Sequence, residues 1–159
     1  MQEILPPETA EGSGYELTRV RQFTIFLENK VGRLQSLVRS LERGVGKIVA
    51  LSIEESADAA LVRLIVAHPE YGRELLRTAG FAFAETELLA VRMPRRVKQP
   101  LMALCSVLLA AEINIHYAYP LLHVPHGPAM ALYTDDPTLA ARLLIKKGFE
   151  LISEAELQG

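Results

Sequence analysis

The residues "ENKVGR", 28 to 33, are the first place in the chain where type and spacing suggest chemistry. They follow a β-branched and aromatic run, Phe23 to Leu27, and precede apolar residues at helical spacing, which predicts a strand-to-helix turn. The turn holds no Ser/His/Asp set, no Cys and no phosphate-loop Lys-Ser. Its chemistry is therefore that of binding. The first free amides of a helix carry roughly half a positive charge and make a site for a carboxylate. Gly32 lets a ligand approach a backbone that has no Cβ in the way. Asn29 can cap the helix and can also accept from an ammonium group. Taken in isolation, Asn-x-x-Gly before a helix reads first as a plain cap and turn.

The remaining reactive groups carry less. "HVPHGP", 123 to 128, sets His123 and His126 beside a Pro-Gly turn. Neutral imidazole is a common metal ligand, but no carboxylate or Cys lies near this pair in sequence, so an exposed hairpin tip and no metal are expected. Cys105 shares an apolar stripe with Leu101, Leu104 and Leu108, which predicts a packed core residue and no nucleophile. "RRVK", 95 to 98, reads as a solvated basic turn. Tyr117 and Tyr119 alternate on one strand face, where they either wall a pocket or pack an interface. Arg33, Arg39 and Arg43 read as the polar face of the first helix.

The elements that must position these residues come from a chain of 159 residues, 50% hydrophobic and without Trp. That suits one compact domain or two very small ones. Lys and Arg number 17 against 19 Asp and Glu, a net charge of −2. Such a balance gives no electrostatic footprint for nucleic acid or an anionic membrane. The single Cys excludes an internal disulfide and fits a reducing cytosol. No apolar run approaches the roughly 18 residues of a membrane span. Residues 1–17 lack the basic and apolar regions of a signal peptide and read as an N-terminal tail or arm.

An internal repeat organises the rest. Gly-Phe recurs at Phe81 and Phe149, 68 residues apart, and a Pro precedes a helical pattern at Pro69 and Pro137, again 68 apart. Each unit reads as strand, helix, strand, strand, helix, strand, with unit one at 18–86 and unit two at 87–157. In unit one, Leu34, Leu37, Val38 and Leu41 mark an amphipathic helix, and Ile48–Ile53 and Leu61–Ala67 are strands joined by a polar hairpin. Gly80 and Gly148 read as helix stops. The stretch 81 to 94 has no internal Gly or Pro, which predicts rigid coupling between the units. The βαββαβ order is the ferredoxin-like pattern: an α+β fold, antiparallel sheets with helices on one face. The strands are apolar on both alternations, Val62, Leu64 and Val66 against Leu61 and Ile65, so the second face must meet the other unit or another chain.

On the motifs "FLENKVGRLQSLVRSL", "IVALSI", "LVRLIVAHPE" and "LLRTAGF" in unit one, and "LLAVRMP", "INIHYAY" and "LLIKKGFELISEAEL" in unit two, the chain resembles a tandem ACT-domain protein. The resemblance covers nearly everything beyond the tail and is nearest to free-standing pairs. ACT domains are βαββαβ modules that bind amino acids and regulate enzymes of amino-acid metabolism. The resemblance implies a non-catalytic sensor without a cofactor, cytoplasmic and homodimeric, that binds an amino acid or similar small carboxylate at the interface between units. It places the ligand at Asn29, Lys30, Val31, Gly32, Arg33 and Leu34. These would face Tyr117, Ala118 and Tyr119 of the second unit, or Leu51, Ser52 and Ile53 of the first. The alternative is an interaction module that docks on an enzyme of amino-acid metabolism without a ligand of its own. An acylphosphatase-type site, the third reading, wants an Arg in the first turn and an Asn on a central strand. Arg33 and Asn114 exist but fall in different units. The second turn departs from the family: "RVKQP", 96 to 100, puts Gln99 where Gly is usual, which leaves that site closed or altered. Val31 replaces a common Pro, and Lys47 stands where Asn is frequent.

Overall fold

The computed structural model describes residues 18–43 and 46–159, so the N-terminal arm expected at 1–17 lies outside the described residues. In chain order the elements are β1 (Val20–Glu28), α1 (Arg33–Glu42), β2 (Ile48–Glu55), β3 (Ala59–Val66), α2 (Pro69–Thr78) and β4 (Ala82–Arg92). They continue with α3 (Pro100–Ala110), β5 (Ile115–Pro120), β6 (Ala129–Thr134), α4 (Pro137–Lys146) and α5 (Glu154–Gln158). Local signals set several of these limits. Pro69 and Pro137 occupy first-turn positions, where a missing N–H costs nothing. The Asp136 carboxylate accepts from the Leu139 amide at 3.1 Å. Gly80 and Gly148 follow α2 and α4 at φ +78 and +89, the left-handed conformation that ends a helix and favours glycine.

The fold is the expected α+β duplication, with one economy. The two units share β4. Its first part pairs antiparallel with β1, from Phe26–Ala82 to Val20–Leu88, and its last part pairs with β6, from Leu89–Leu132 to Arg92–Ala129. The proposed division between 86 and 87 thus falls inside one strand. The last strand expected of unit two is reduced to a bridge between Val91 and Leu151, flanked by Arg92 N–H to Glu150 O and Ile152 N–H to Ala90 O. The chain then leaves the sheet because Ser153 caps α5, its hydroxyl accepting from the Glu156 amide, with Glu154 and Glu156 in the positively polarised first turn.

The strands run in the order β2-β3-β1-β4-β6-β5. The sheet curls until its edges meet, with Ala50 bridging Leu121 and the Leu122 amide donating to Val49 O at 2.7 Å. That curvature answers the double alternation. Val62, Leu64 and Val66 face the helices of unit one with Leu37, Leu41 and Leu76. Ile65 and Ala67 face inward, where they meet Val20, Val49, Leu88, Ala90, Ala131 and Tyr119 in a core shared by both units. Leu89, Val91, Leu104, Leu108 and Leu144 form the third core, beneath the helices of unit two. Each large aliphatic buried this way contributes about 1.5–3 kcal/mol. Ile152 and Leu157 of the C-terminal segment belong to the shared core. The segment is held by Arg21 to Glu154 at 2.9 Å and Arg92 to Glu156 at 2.8 Å.

Gly72 of α2 marks a close helix-to-sheet approach in unit one: a Cβ there would lie 2.7 Å from Val66 Cγ2 and 3.4 Å from Phe23 Cε2. Gly72→Val is therefore expected to lose about 1–3 kcal/mol by overpacking, read as a lower urea midpoint at unchanged m-value.

One expectation is corrected. Cys105 is exposed, and so is Leu101 at 53%, whereas Leu104 and Leu108 are buried. The helix α3 is apolar on all sides, so its spacing cannot single out the face that meets the core.

Candidate functional site

The β1–α1 turn is tight. The Lys30 amide donates to Glu28 O at 2.8 Å, and the Arg33 amide to Lys30 O at 3.2 Å. Gly32 is the N-cap of α1 at φ +86, a conformation that a Cβ strains. Asn29 does not cap the helix. It sits three residues too early, and its amide Nδ2 donates to Glu55 Oε1 across the mouth of the turn at 3.0 Å. Among the described residues the amides of Leu34 and Gln35 have no backbone acceptor, and such first-turn amides point back toward the turn.

Beneath the turn lies a cavity of about 200 Å³. Asn29, Lys30, Arg33 and Leu34 line it from the turn, Leu27 and Glu28 from the end of β1, Ile53 and Glu55 from β2, and Ala60 and Val62 from β3. Its floor is apolar: Leu27, Leu34, Ile53, Ala60 and Val62. Its charges differ in how they are satisfied. Lys30 is paired with Glu28 at 2.7 Å, and this hydrogen bond holds the Glu28 carboxyl below the usual carboxylate range. Arg33 has no carboxylate partner among the described residues. Its guanidinium lies 5.3 Å from the centre of the Phe81 ring, and its buried Nε has no hydrogen-bond partner. The cavity is thus lined by the Arg33 guanidinium, which helps Lys30 lower the Glu28 carboxyl through space, and by the carboxylates of Glu28 and Glu55, which Lys30 and Asn29 engage.

The other residues singled out in the sequence fall elsewhere. Val31 is fully exposed at the tip. Leu51 packs against the helix-facing core, and Ser52 lies opposite Arg63 in the strand register. Ala118 is exposed on β5. Tyr117 and Tyr119 stand between the units, away from the cavity, in a polar layer that the sequence reading did not include. Its centre is Gln22, fully buried. The Tyr119 hydroxyl donates to Gln22 Oε1 at 2.6 Å, and Gln22 Nε2 donates to the Tyr117 hydroxyl at 2.8 Å. The Arg63 guanidinium lies 3.9 Å above the Tyr117 ring, and Tyr133 stacks on Tyr117 at 5.1 Å between centroids. Burial pushes the Tyr119 hydroxyl well above its ordinary pKa, and the neighbouring Tyr117 adds to the effect. A polar residue inside the run "VRQFTIFLE" was the available signal for this layer. No local signal marks Glu55, which reaches the turn only through the fold.

The second turn has a cavity of about 340 Å³ beside it, lined by Arg92, Met93, Pro94, Arg95, His126 and Glu150 among others. Arg92 is committed to Glu150, Glu156 and the Pro125 carbonyl. His123 lines a different cavity, with Lys47. Among the described residues no group of three or more His, Cys, Asp or Glu could hold a metal ion, and no helix is long and apolar enough to cross a membrane.

No curated protein matches the chain. Among solved structures it is similar to protein BT0572 from Bacteroides thetaiotaomicron, at 27% identity and a TM-score of 0.79, covering 89% of this chain and 96% of that one. It shares its fold with the aspartokinase alpha and beta subunits, at 12% identity, TM-score 0.53, and 81% and 92% coverage. It also shares it with the ligand-free regulatory subunit of aspartate kinase from Thermus thermophilus, at 10% identity, TM-score 0.55, and 82% and 92% coverage. The family model described as an ACT domain pair matches residues 18–159, the whole of the two units just described. The chain belongs to the ACT domain pair family.

Proposed function

We propose that this protein is a non-catalytic sensor that binds a small, apolar amino acid in the cavity beneath the β1–α1 turn. One observation carries the reading: a single cavity is lined by Arg33, which has no ion pair among the described residues, by Leu34 of the helix's first turn, by two carboxylates, and by an apolar set of side chains. A free amino acid has the same three parts. Its carboxylate suits Arg33 and the amides of Leu34 and Gln35. Its ammonium suits Glu28 or Glu55, and its side chain suits Leu34, Ile53 and Val62. About 200 Å³ is below the roughly 300–1,000 Å³ of drug-sized pockets, so the ligand is small. Membership in the ACT family supports amino-acid regulation, and the turn residues 28–33 hold no Ser, Thr, Cys or His. In one chain the cavity is walled by unit one alone; an inter-unit version of the site draws its outer wall from a second chain.

Calorimetric titration against the twenty amino acids tests the reading. A saturable heat is expected for one or a few small apolar amino acids. Ile53→Trp, which fills the mouth from a half-exposed position, is expected to abolish it without lowering Tm. Uniformly absent heats from folded protein would leave the interaction-module reading in its place.

A further inference from the structure

The cavity beside the second turn is not the counterpart of the one beneath the β1–α1 turn. In unit one the first turn of the helix lines the cavity, through Arg33 and Leu34. In unit two α3 does not; the walls are the end of β4 with the residues that follow it, the β5–β6 loop and the segment after α4. The repeat supplies an internal control. Arg92 lies beside Glu150, its amide donating to Glu150 O at 2.9 Å. The corresponding pair in unit one is Phe26 and Ala82, Ala82 following Gly80-Phe81 as Glu150 follows Gly148-Phe149. The fold therefore does not require charge at this place.

The turn 125–128 is held at both ends. The Arg92 guanidinium donates to the Pro125 carbonyl, and the Met93 amide to the Pro128 carbonyl at 2.8 Å. Between them His126 is left-handed at φ +67 and Gly127 stands at φ +115. A Cβ on Gly127 would lie 3.1 Å from Arg95 Nε and 3.2 Å from Arg95 Nη2, so the guanidinium rests against the residue that follows His126. Among the described residues neither the Arg95 nor the His126 side chain has an ion-pair or hydrogen-bond partner. Glu150, in contrast, is engaged by Arg92 at 2.9 Å. The two cavities thus differ in charge. The lining of the first is balanced, Lys30 and Arg33 against Glu28 and Glu55, which suits a zwitterion. This one carries Arg92 and Arg95 against Glu150 alone, with the His126 imidazole as a further donor. A positioned guanidinium fork with a second donor beside it suits an oxyanion. Met93, Pro94 and Phe149 add an apolar wall, and about 340 Å³ falls within the roughly 300–1,000 Å³ of small-molecule pockets.

We propose that this cavity binds a small organic oxyanion, a carboxylate or a phosphate monoester with an apolar body, through Arg95 and His126. The site is separate from the amino-acid cavity of unit one, so the failure of either reading leaves the other standing. Amide-resolved NMR titration with phenyl phosphate, benzoate and the neutral benzamide tests it. The two anions are expected to shift the Gly127, Gly148 and Glu150 amides saturably and benzamide is not; whichever anion binds the tighter identifies the head group. Arg95→Gln, a change at an exposed side chain, is expected to weaken binding by about tenfold or more at unchanged Tm, the range of a charge-assisted hydrogen bond. His126→Ala is expected to weaken it by a smaller factor. No saturable shift from either anion, equal shifts from benzamide, shifts centred on the Leu34 and Gln35 amides, or undiminished binding in Arg95→Gln would overturn the proposal.

Discussion

Gln22→Leu is expected to destabilise the protein by about 2–4 kcal/mol, although leucine is the more apolar residue and the site is fully buried. The glutamine is the common partner of two tyrosine hydroxyls on β5, at 2.6 and 2.8 Å. Leucine would leave both without it, and the buried Tyr119 hydroxyl, 4% exposed as a residue, cannot recover water. Urea unfolding measures the loss. A variant as stable as the wild type would show that this layer does not hold the units together. The same layer predicts the alkaline limit. Tyr119 is held protonated in the fold by burial, with a pKa above that of the unfolded chain. Its contribution is complete below an unfolded-state pKa of about 10 and is lost as pH rises past it, at about 1.4 kcal/mol per unit. Tyr119→Phe removes the titrating group, so it should flatten that slope while losing stability at neutral pH.

Arg33→Ala is expected to weaken amino-acid binding by about 10- to 100-fold, the range of a charge-assisted hydrogen bond. Stability should change little, because among the described residues no carboxylate forms an ion pair with Arg33. Arg33→Lys keeps the charge but not the planar fork, so it should recover only part of the affinity. Calorimetric titration reads both. Unchanged affinity in Arg33→Ala would take the carboxylate end of the ligand away from α1. Lys30→Ala is the internal comparison: Lys30 is already neutralised by Glu28 at 2.7 Å, so its loss should matter far less.

The residues that define the units were legible because they act locally. Gly80, Gly148, Pro69 and Pro137 punctuate helices through their own backbone, and their 68-residue recurrence exposed the duplication. The double alternation of β3 correctly demanded a second partner face, which proved to be the other unit. What could not be read depends on contacts across the fold. Glu55 reaches the turn through the pairing of β2 with β3. Gln22 meets Tyr117 and Tyr119 only because the sheet curls. The packed stripe through Cys105 failed for a different reason: where all positions of a helix but Ser106 are apolar, periodicity contains almost no information about which side is covered. The Asn29 cap failed through the turn itself, which extends to Gly32 before the helix begins.

The most direct measurement is an amide-resolved NMR titration with the amino acid that gives the strongest heat. The largest shifts are predicted at Leu34 and Gln35, whose amides have no backbone acceptor among the described residues, with smaller ones at Ile53 and Glu55, and all should disappear in Ile53→Trp. Shifts centred on Arg95 and His126 instead, or a folded protein whose turn amides do not move at saturation, would contradict the account.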